Sequence, residues 1–304
     1  MSRHLNSIFY IERQTGNVEK EEILGEGAIR FLYGSTLLSR TIGRLVLNGF
    51  AKWPPCSAIY GWLQKRARSK RKIIPFINHF QVDASEFEQS PEQFSSFNDF
   101  FIRKLKSECR PISHSPAVIP ADGRYTFFTD LSSSTPFSVK NRTFCLKTIL
   151  RDSTLATRYE GGSLVIARLC PTDCHRFYFP IDCVPGTTEE INGKLFSVNP
   201  IATKDNPWIW GANRRYLTIL SSEHFGKVAF LEVGATNVGT VIQTYTPGKT
   251  YHKGEEKGYF SFGGSALLLF FERGKIEFSD DLLEASKRRL EIRCLIGQPL
   301  SSLS

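Results

Sequence analysis

The chain has no long apolar run, and this bounds its relation to a membrane. Between residues 28 and 52 the longest uncharged stretches are 31–39 and 45–51, well short of the roughly 20 residues a spanning helix needs. The opening MSRHLNSIFYIERQTG lacks the apolar core of a signal peptide. Seven cysteines, an odd number scattered from Cys56 to Cys294, do not form a disulfide framework and point to a reducing compartment. Cys170, Cys174 and Cys183 lie near one another without C-x-x-C spacing, so no zinc site or other metal is expected. One methionine against 24 phenylalanines favours a fixed β-rich core. VGATNVG (233–239) lacks both G-x-G-x-x-G spacing and a helix behind it, so it is no dinucleotide cradle. GGSAL (263–267) is not a G-x-S-x-G nucleophile elbow, which argues against an ordinary serine hydrolase.

A second absence is local. Gly27 to His79 contains no acidic residue but ten basic ones, against a net charge of +9 for all 304 residues. The rest of the chain therefore sums to −1, and the excess sits in one segment. Over 28–50, Phe31, Leu38, Ile42, Leu45 and Val46 fall on one side of a helix and Arg30, Arg40 and Arg44 on another. That pattern suits a helix lying in the plane of an anionic membrane. Trp53-Pro54-Pro55 stops it. A further helical stretch, 58–63, offers Tyr60 and Trp62 at headgroup depth, and Lys65, Arg66, Lys70 and Arg71 follow as lipid-phosphate contacts. The plainer alternative is a surface helix packing its apolar side on the protein's own core.

Elsewhere the patterns are mostly those of strands. IFYIERQTGNVEKEEI reads as strand, turn and strand around Thr15-Gly16-Asn17. Ser95-Ser96 before FNDFF predicts a capped helix carrying Phe97, Phe100 and Phe101. From Val118 onward the chain is β-rich, with a strand over 164–169, a turn at Pro171-Thr172-Asp173, and two strands within 224–242. Asp122-Gly123 alone reads as a hairpin turn. Near the C-terminus, KGEEKGYFSFGGSALLLFF (253–271) reads as a charged turn over 253–258 and two short strands interrupted by Gly263-Gly264-Ser265.

That interruption has chemical potential. Gly264 lacks a Cβ, leaving its carbonyl open to attack by the Ser265 hydroxyl one residue along. An N→O acyl shift would form an ester, and β-elimination would cut the chain and leave dehydroalanine, which hydrolyses to a pyruvoyl group. By residue type alone a plain β-bulge is the commoner meaning of Gly-Gly-Ser.

KGEE-x-GYF-x-FGGS resembles the processing site of bacterial phosphatidylserine decarboxylases of the GGS type. FNDFF, PADG, CPTDCHRF and VGATNVG fall in the order that family shows. The resemblance implies an α+β fold, with a mainly β catalytic domain of antiparallel, barrel-like sheets preceded by N-terminal amphipathic helices. It divides the chain into 1–115, membrane-associating, and 116–304, catalytic. Self-cleavage between Gly264 and Ser265 would give fragments 1–264 and 265–304, which stay associated.

The implied activity is decarboxylation of phosphatidylserine to phosphatidylethanolamine, with the Ser265-derived pyruvoyl forming a Schiff base with the substrate amine. Asp122 takes the relay-aspartate slot. Members of the family usually show His-Arg-x-His over 175–178. Here His175 is present and Tyr178 stands in the second slot, so the base falls to His175, with Tyr178 as the relay-slot substitute. His224 is a competitor, and Trp208 and Trp210 fall in loops that would line an apolar entrance. The implied partners are phosphatidylserine and the anionic cytoplasmic face of the cell membrane, with no nucleic acid and room for a homodimer. A pyruvoyl decarboxylase of a soluble amino acid would share the Gly-Ser chemistry but needs no basic segment. A non-enzymatic membrane-binding module explains the charge but not the GGS context.

Overall fold

The N-terminal pattern folds as its alternation predicts. Strand β1 (Phe9–Glu12) pairs antiparallel with β2 (Val18–Lys20) across a turn in which Gly16 takes φ +72°, the left-handed region where glycine is unstrained. The computed structural model describes residues 8–23, 27, 61–131, 146–203, 206–235, 241–261, 263 and 265–302. The helix expected over 28–50, with Arg40 and Arg44, lies outside the described residues, and so does Gly264.

After residues 61–65, which are helical, come a 3₁₀ turn Ala67–Lys72, helix α1 (Ile73–Phe80) and helix α2 (Phe97–Phe101). Ser96 caps α2 by accepting the Asp99 N–H at 3.1 Å, and the Asp99 carboxylate accepts in return from the Ser95 N–H and hydroxyl. Phe76, Phe87, Phe94, Phe97 and Phe100 pack edge-to-face into a small separate core.

The remaining strands are β3 (Gly123–Phe128), β4 (Ser163–Leu169), β5 (Arg176–Tyr178), β6 (Val184–Pro185), β7 (Glu189–Ile191), β8 (Arg215–Ser222), β9 (Gly226–Gly234), β10 (Val241–Gln243), β11 (Glu256–Phe260), β12 (Ser265–Phe271) and β13 (Glu291–Cys294). Ten of the strands form one sheet in the order β2-β1-β13-β3-β4-β12-β9-β8-β6, with β7 beside β8. Every pairing in it is antiparallel except β1 with β13. Strands β10-β11-β5 make a second, three-stranded sheet. The N-terminal hairpin thus belongs to the large sheet.

The unbroken apolar run of β12 reflects a central strand buried on both faces. Leu267, Leu269 and Phe271 enter the core shared with the small sheet and helix α3 (Asp280–Lys287). Ala266, Leu268 and Phe270 enter the core on the other side. No helix among the described residues is long and apolar enough to cross a membrane.

Three expectations read from the sequence need correction here. The charged turn expected over 253–258 is partly strand: Glu256–Phe260 is β11, and Lys257 is fully buried. Gly-Gly-Ser is also no bulge within one ladder, since the strands on either side of it belong to different sheets. Asp122-Gly123 does not turn a hairpin either. Gly123 opens β3, and a Cβ there would stand 2.9 Å from the Arg168 carbonyl oxygen of the neighbouring strand.

Candidate active site

Two chain segments meet where the small sheet joins the large one. At one end Ser265 pairs with Leu169 of β4, and at the other the Phe260 N–H donates to the His175 carbonyl at 2.9 Å. The residues that flank 170–174 in the chain, Leu169 and His175, are thus bonded to Ser265 and Phe260. Ser265, at the start of β12, and His175, just before β5, belong to the same corner. Both are fully buried, and Ser265 Oγ and His175 Nε2 have no hydrogen-bond partner among the described residues. A buried polar atom left unpaired costs roughly 1–3 kcal/mol, so two at one corner point to use.

The tautomer of His175 follows from its contacts. Nδ1 lies 3.0 Å from the Asp173 carbonyl oxygen, which can only accept. Nδ1 therefore carries the proton and Nε2 presents a lone pair. The Phe101 ring lies over the imidazole with centroids 3.7 Å apart. Burial drives the imidazole pKa down to about 3, so the ring is neutral.

The turn that aims His175 is clamped from two sides. The Asp173 carboxylate accepts from Arg124 Nη1 at 2.7 Å and from the Cys170 N–H at 2.7 Å. Burial by itself would raise the Asp173 carboxyl. The Arg124 and Arg293 guanidiniums and the Cys170 N–H outweigh it and hold that carboxyl below its ordinary value. On the other side Arg103 Nη2 donates to the Thr172 carbonyl at 2.6 Å, and the Cys174 thiol contacts the Arg103 carbonyl. Burial pushes the Cys174 thiol up to about 11, which keeps it protonated and unreactive. A cavity of about 410 Å³ opens beside the turn, walled in part by Arg103, Arg110, Asp122, Arg124, Asp173 and Cys174.

The expected residues are only partly brought together. Asp122 is buried, but its carboxylate is occupied by Arg110 (2.8 Å) and by the Ile296 N–H (2.8 Å), not by the imidazole. Tyr178 is half-buried in β5, opposite Glu256, and burial raises its phenol far above the ordinary value. Burial alternates through this stretch: His175 and Phe177 are fully buried, Arg176 and Tyr178 partly exposed. His224 sits in the exposed β8–β9 turn. Gly234, across from Ser265, is at the far end of β9, roughly 26 Å away at ~3.3 Å per residue. Trp210 is buried and Trp208 exposed.

The sequence reading missed Phe101 as a lid on His175, Arg124 and Asp173 as the clamp of the turn, and a buried pair, Lys257 and Glu232. Only Glu232 gave a signal, as a lone charge inside the apolar run AFLEVGA. Lys65, Arg66, Lys70 and Arg71 are all exposed, beside exposed Trp62, Leu63 and Ile74.

Residues 97–300 match the family model described as phosphatidylserine decarboxylase. A protein of Chlamydia felis named phosphatidylserine decarboxylase proenzyme is 45% identical over 298 residues, covering 97% of this chain and 98% of its own. Proteins with the same name from Chlamydia pneumoniae and from Chlamydia trachomatis serovar L2 are 45% and 40% identical, each match covering 96% of both chains.

Proposed function

Because the chain belongs to the phosphatidylserine decarboxylase family, we propose that it is made as a proenzyme that cuts itself between Gly264 and Ser265 and then converts phosphatidylserine to phosphatidylethanolamine. The observation that carries this is the pair of unpartnered buried atoms, Ser265 Oγ and His175 Nε2, at the corner where β12 begins beside the 170–175 turn. Ser265 fits the origin of a pyruvoyl group, since its hydroxyl is held out of every hydrogen bond among the described residues. When formed, that group supplies an electron sink for the loss of CO₂ from the substrate.

The chain's own residues have narrower tasks. Neutral His175 offers its Nε2 lone pair to the Ser265 hydroxyl proton, while Asp173 O and the Phe101 ring fix the plane of the imidazole. Asp122 acts as a positioning residue. By holding the Ile296 N–H it ties the 265–304 part of the chain to Arg110 in the 1–264 part. Tyr178, kept protonated by burial, takes no proton from Ser265.

The protein works as a peripheral enzyme at the cytoplasmic face of an anionic membrane. Exposed Trp62, Leu63 and Ile74 stand among Lys65, Arg66, Lys70 and Arg71, an apolar and basic mixture suited to headgroups. Five cysteines among the described residues are free, which fits a reducing compartment.

Intact-mass measurement of the purified protein tests the central step. Wild type is expected as two fragments, the smaller resisting Edman degradation because a pyruvoyl group has no free amine. Ser265→Ala is expected as one chain, and a cleaved Ser265→Ala protein would sink the reading.

A further inference from the structure

Self-cleavage of this kind removes two protons in succession. The first is the Ser265 hydroxyl proton, for which His175 is placed. The second is the proton on the α-carbon of residue 265, lost when the ester is eliminated. A separate buried group stands ready for it.

Glu232 and Lys257 are both fully buried, and Lys257 Nζ donates to Glu232 Oε1 at 2.5 Å, to Gln243 at 2.9 Å and to Thr218 at 3.0 Å. The rings of Phe230, Tyr245 and Phe177 surround the ammonium. A buried ion pair in such a place rarely adds net stability, because desolvation of both charges offsets their attraction. Glu232 Oε2 has no partner among the described residues.

The register of the large sheet connects this pair to Ser265. Ser265 stands opposite Gly234 and Leu267 opposite Glu232, so Glu232 is the diagonal neighbour of Ser265 on β9. Directly opposite residues share a sheet face, and Leu267 lies two residues from Ser265, so Glu232 and Ser265 share the face that meets the small sheet. Diagonal neighbours lie ~7–8 Å apart, within reach of a long side chain. Gly234, opposite Ser265, contributes no side chain between them.

We propose that Glu232, anchored through Oε1 by Lys257, is the second base of self-cleavage and takes the α-proton of residue 265 through its free Oε2. The electron pair of the Cα–H bond becomes the Cα=Cβ bond, and the Cβ–Oγ bond breaks. Oγ leaves as part of the Gly264 carboxylate, and the proton stays on Glu232. No oxidant or cofactor enters the balance. Burial raises the Glu232 carboxyl above its ordinary value, with the Lys257 charge opposing, which makes it a stronger base than a solvated carboxylate.

The inference rests on the self-cleavage reading and is tested by trapping the ester. Hydroxylamine splits an ester, leaving a hydroxamate on Gly264 and an N-terminal serine that Edman degradation reads. Glu232→Gln is expected to accumulate hydroxylamine-sensitive protein and to slow formation of the blocked fragment by about 10²-fold or more. The double replacement Glu232→Leu with Lys257→Met, which removes both charges without leaving either unpaired, is expected to trap the ester too, and it serves if the single variant does not fold. Blocked fragment formed at the wild-type rate in either folded variant overturns the proposal, and so does a folded variant that stays uncut without any ester. A wild-type protein that never cleaves would instead overturn the self-cleavage reading itself.

Discussion

His175 has the environment of a base and the pKa of a weak one. Its Nε2 lone pair is open, yet burial holds the imidazole near 3, against an ordinary 6.5. His175→Ala is therefore expected to slow cleavage by about 10²-fold or more, whereas Tyr178→Phe processes normally or slightly slower. Time courses of the two fragments on denaturing gels decide this, and wild-type cleavage by His175→Ala would remove the histidine from the mechanism. The same shift has a consequence for stability. Below 6.5 the unfolded chain binds a proton at this histidine that the folded chain refuses, so stability falls as pH drops from 6.5 toward 3. Urea midpoints of the uncut Ser265→Ala protein should decline over that window, and adding His175→Gln should flatten part of the decline.

At the scale of elements, the site depends on β11 staying against β10 while the crossover after it is cut. Gly258 allows that closeness. A Cβ at this position would stand 2.2 Å from the Ile242 carbonyl oxygen and 2.9 Å from the Phe177 ring. Gly258→Ala is expected to cost about 1–3 kcal/mol and to slow processing, because β5, which follows His175, hangs on the other edge of β11. Thermal melting beside a cleavage time course checks both effects. A Gly258→Ala protein with unchanged melting and cleavage would show that the small sheet plays no part in aligning the corner.

For the whole molecule, cleavage separates strands that are woven together. The 265–304 fragment contributes β12, between β4 and β9, and β13, between β1 and β3. It cannot leave without opening the large sheet in two places. The fragments should therefore co-elute in size-exclusion chromatography and part only in denaturant. The proposed membrane binding likewise belongs to the scale of the whole surface. Replacing Lys65, Arg66, Lys70 and Arg71 with Gln removes about 1 kcal/mol per side chain near an anionic surface. Co-sedimentation with phosphatidylserine-containing vesicles should fall by about 10²-fold or more, and wild-type binding should weaken with added salt. Binding unaffected by both changes would mean that the basic segment packs on the protein's own core.

What the sequence by itself determined was local. The β1–β2 turn at Gly16, the Ser96 cap of α2, the turn at 171–173 and the two-sided burial of β12 each follow from residues a few positions apart. The ordered motifs, through the family they resemble, also imply that Ser265 and His175 act in one site. Only the tertiary structure decided which sheet each strand joined. Residues 253–271 read equally well as a bulged ladder, and the separation of β11 from β12 depends on strands far away in the chain. It also decided the charges. Asp122 found Arg110 and Ile296, 12 and 174 residues distant, and Lys257 found Glu232 across the space between two sheets. A buried charge takes whichever opposite group the packing delivers, and no local pattern records that choice.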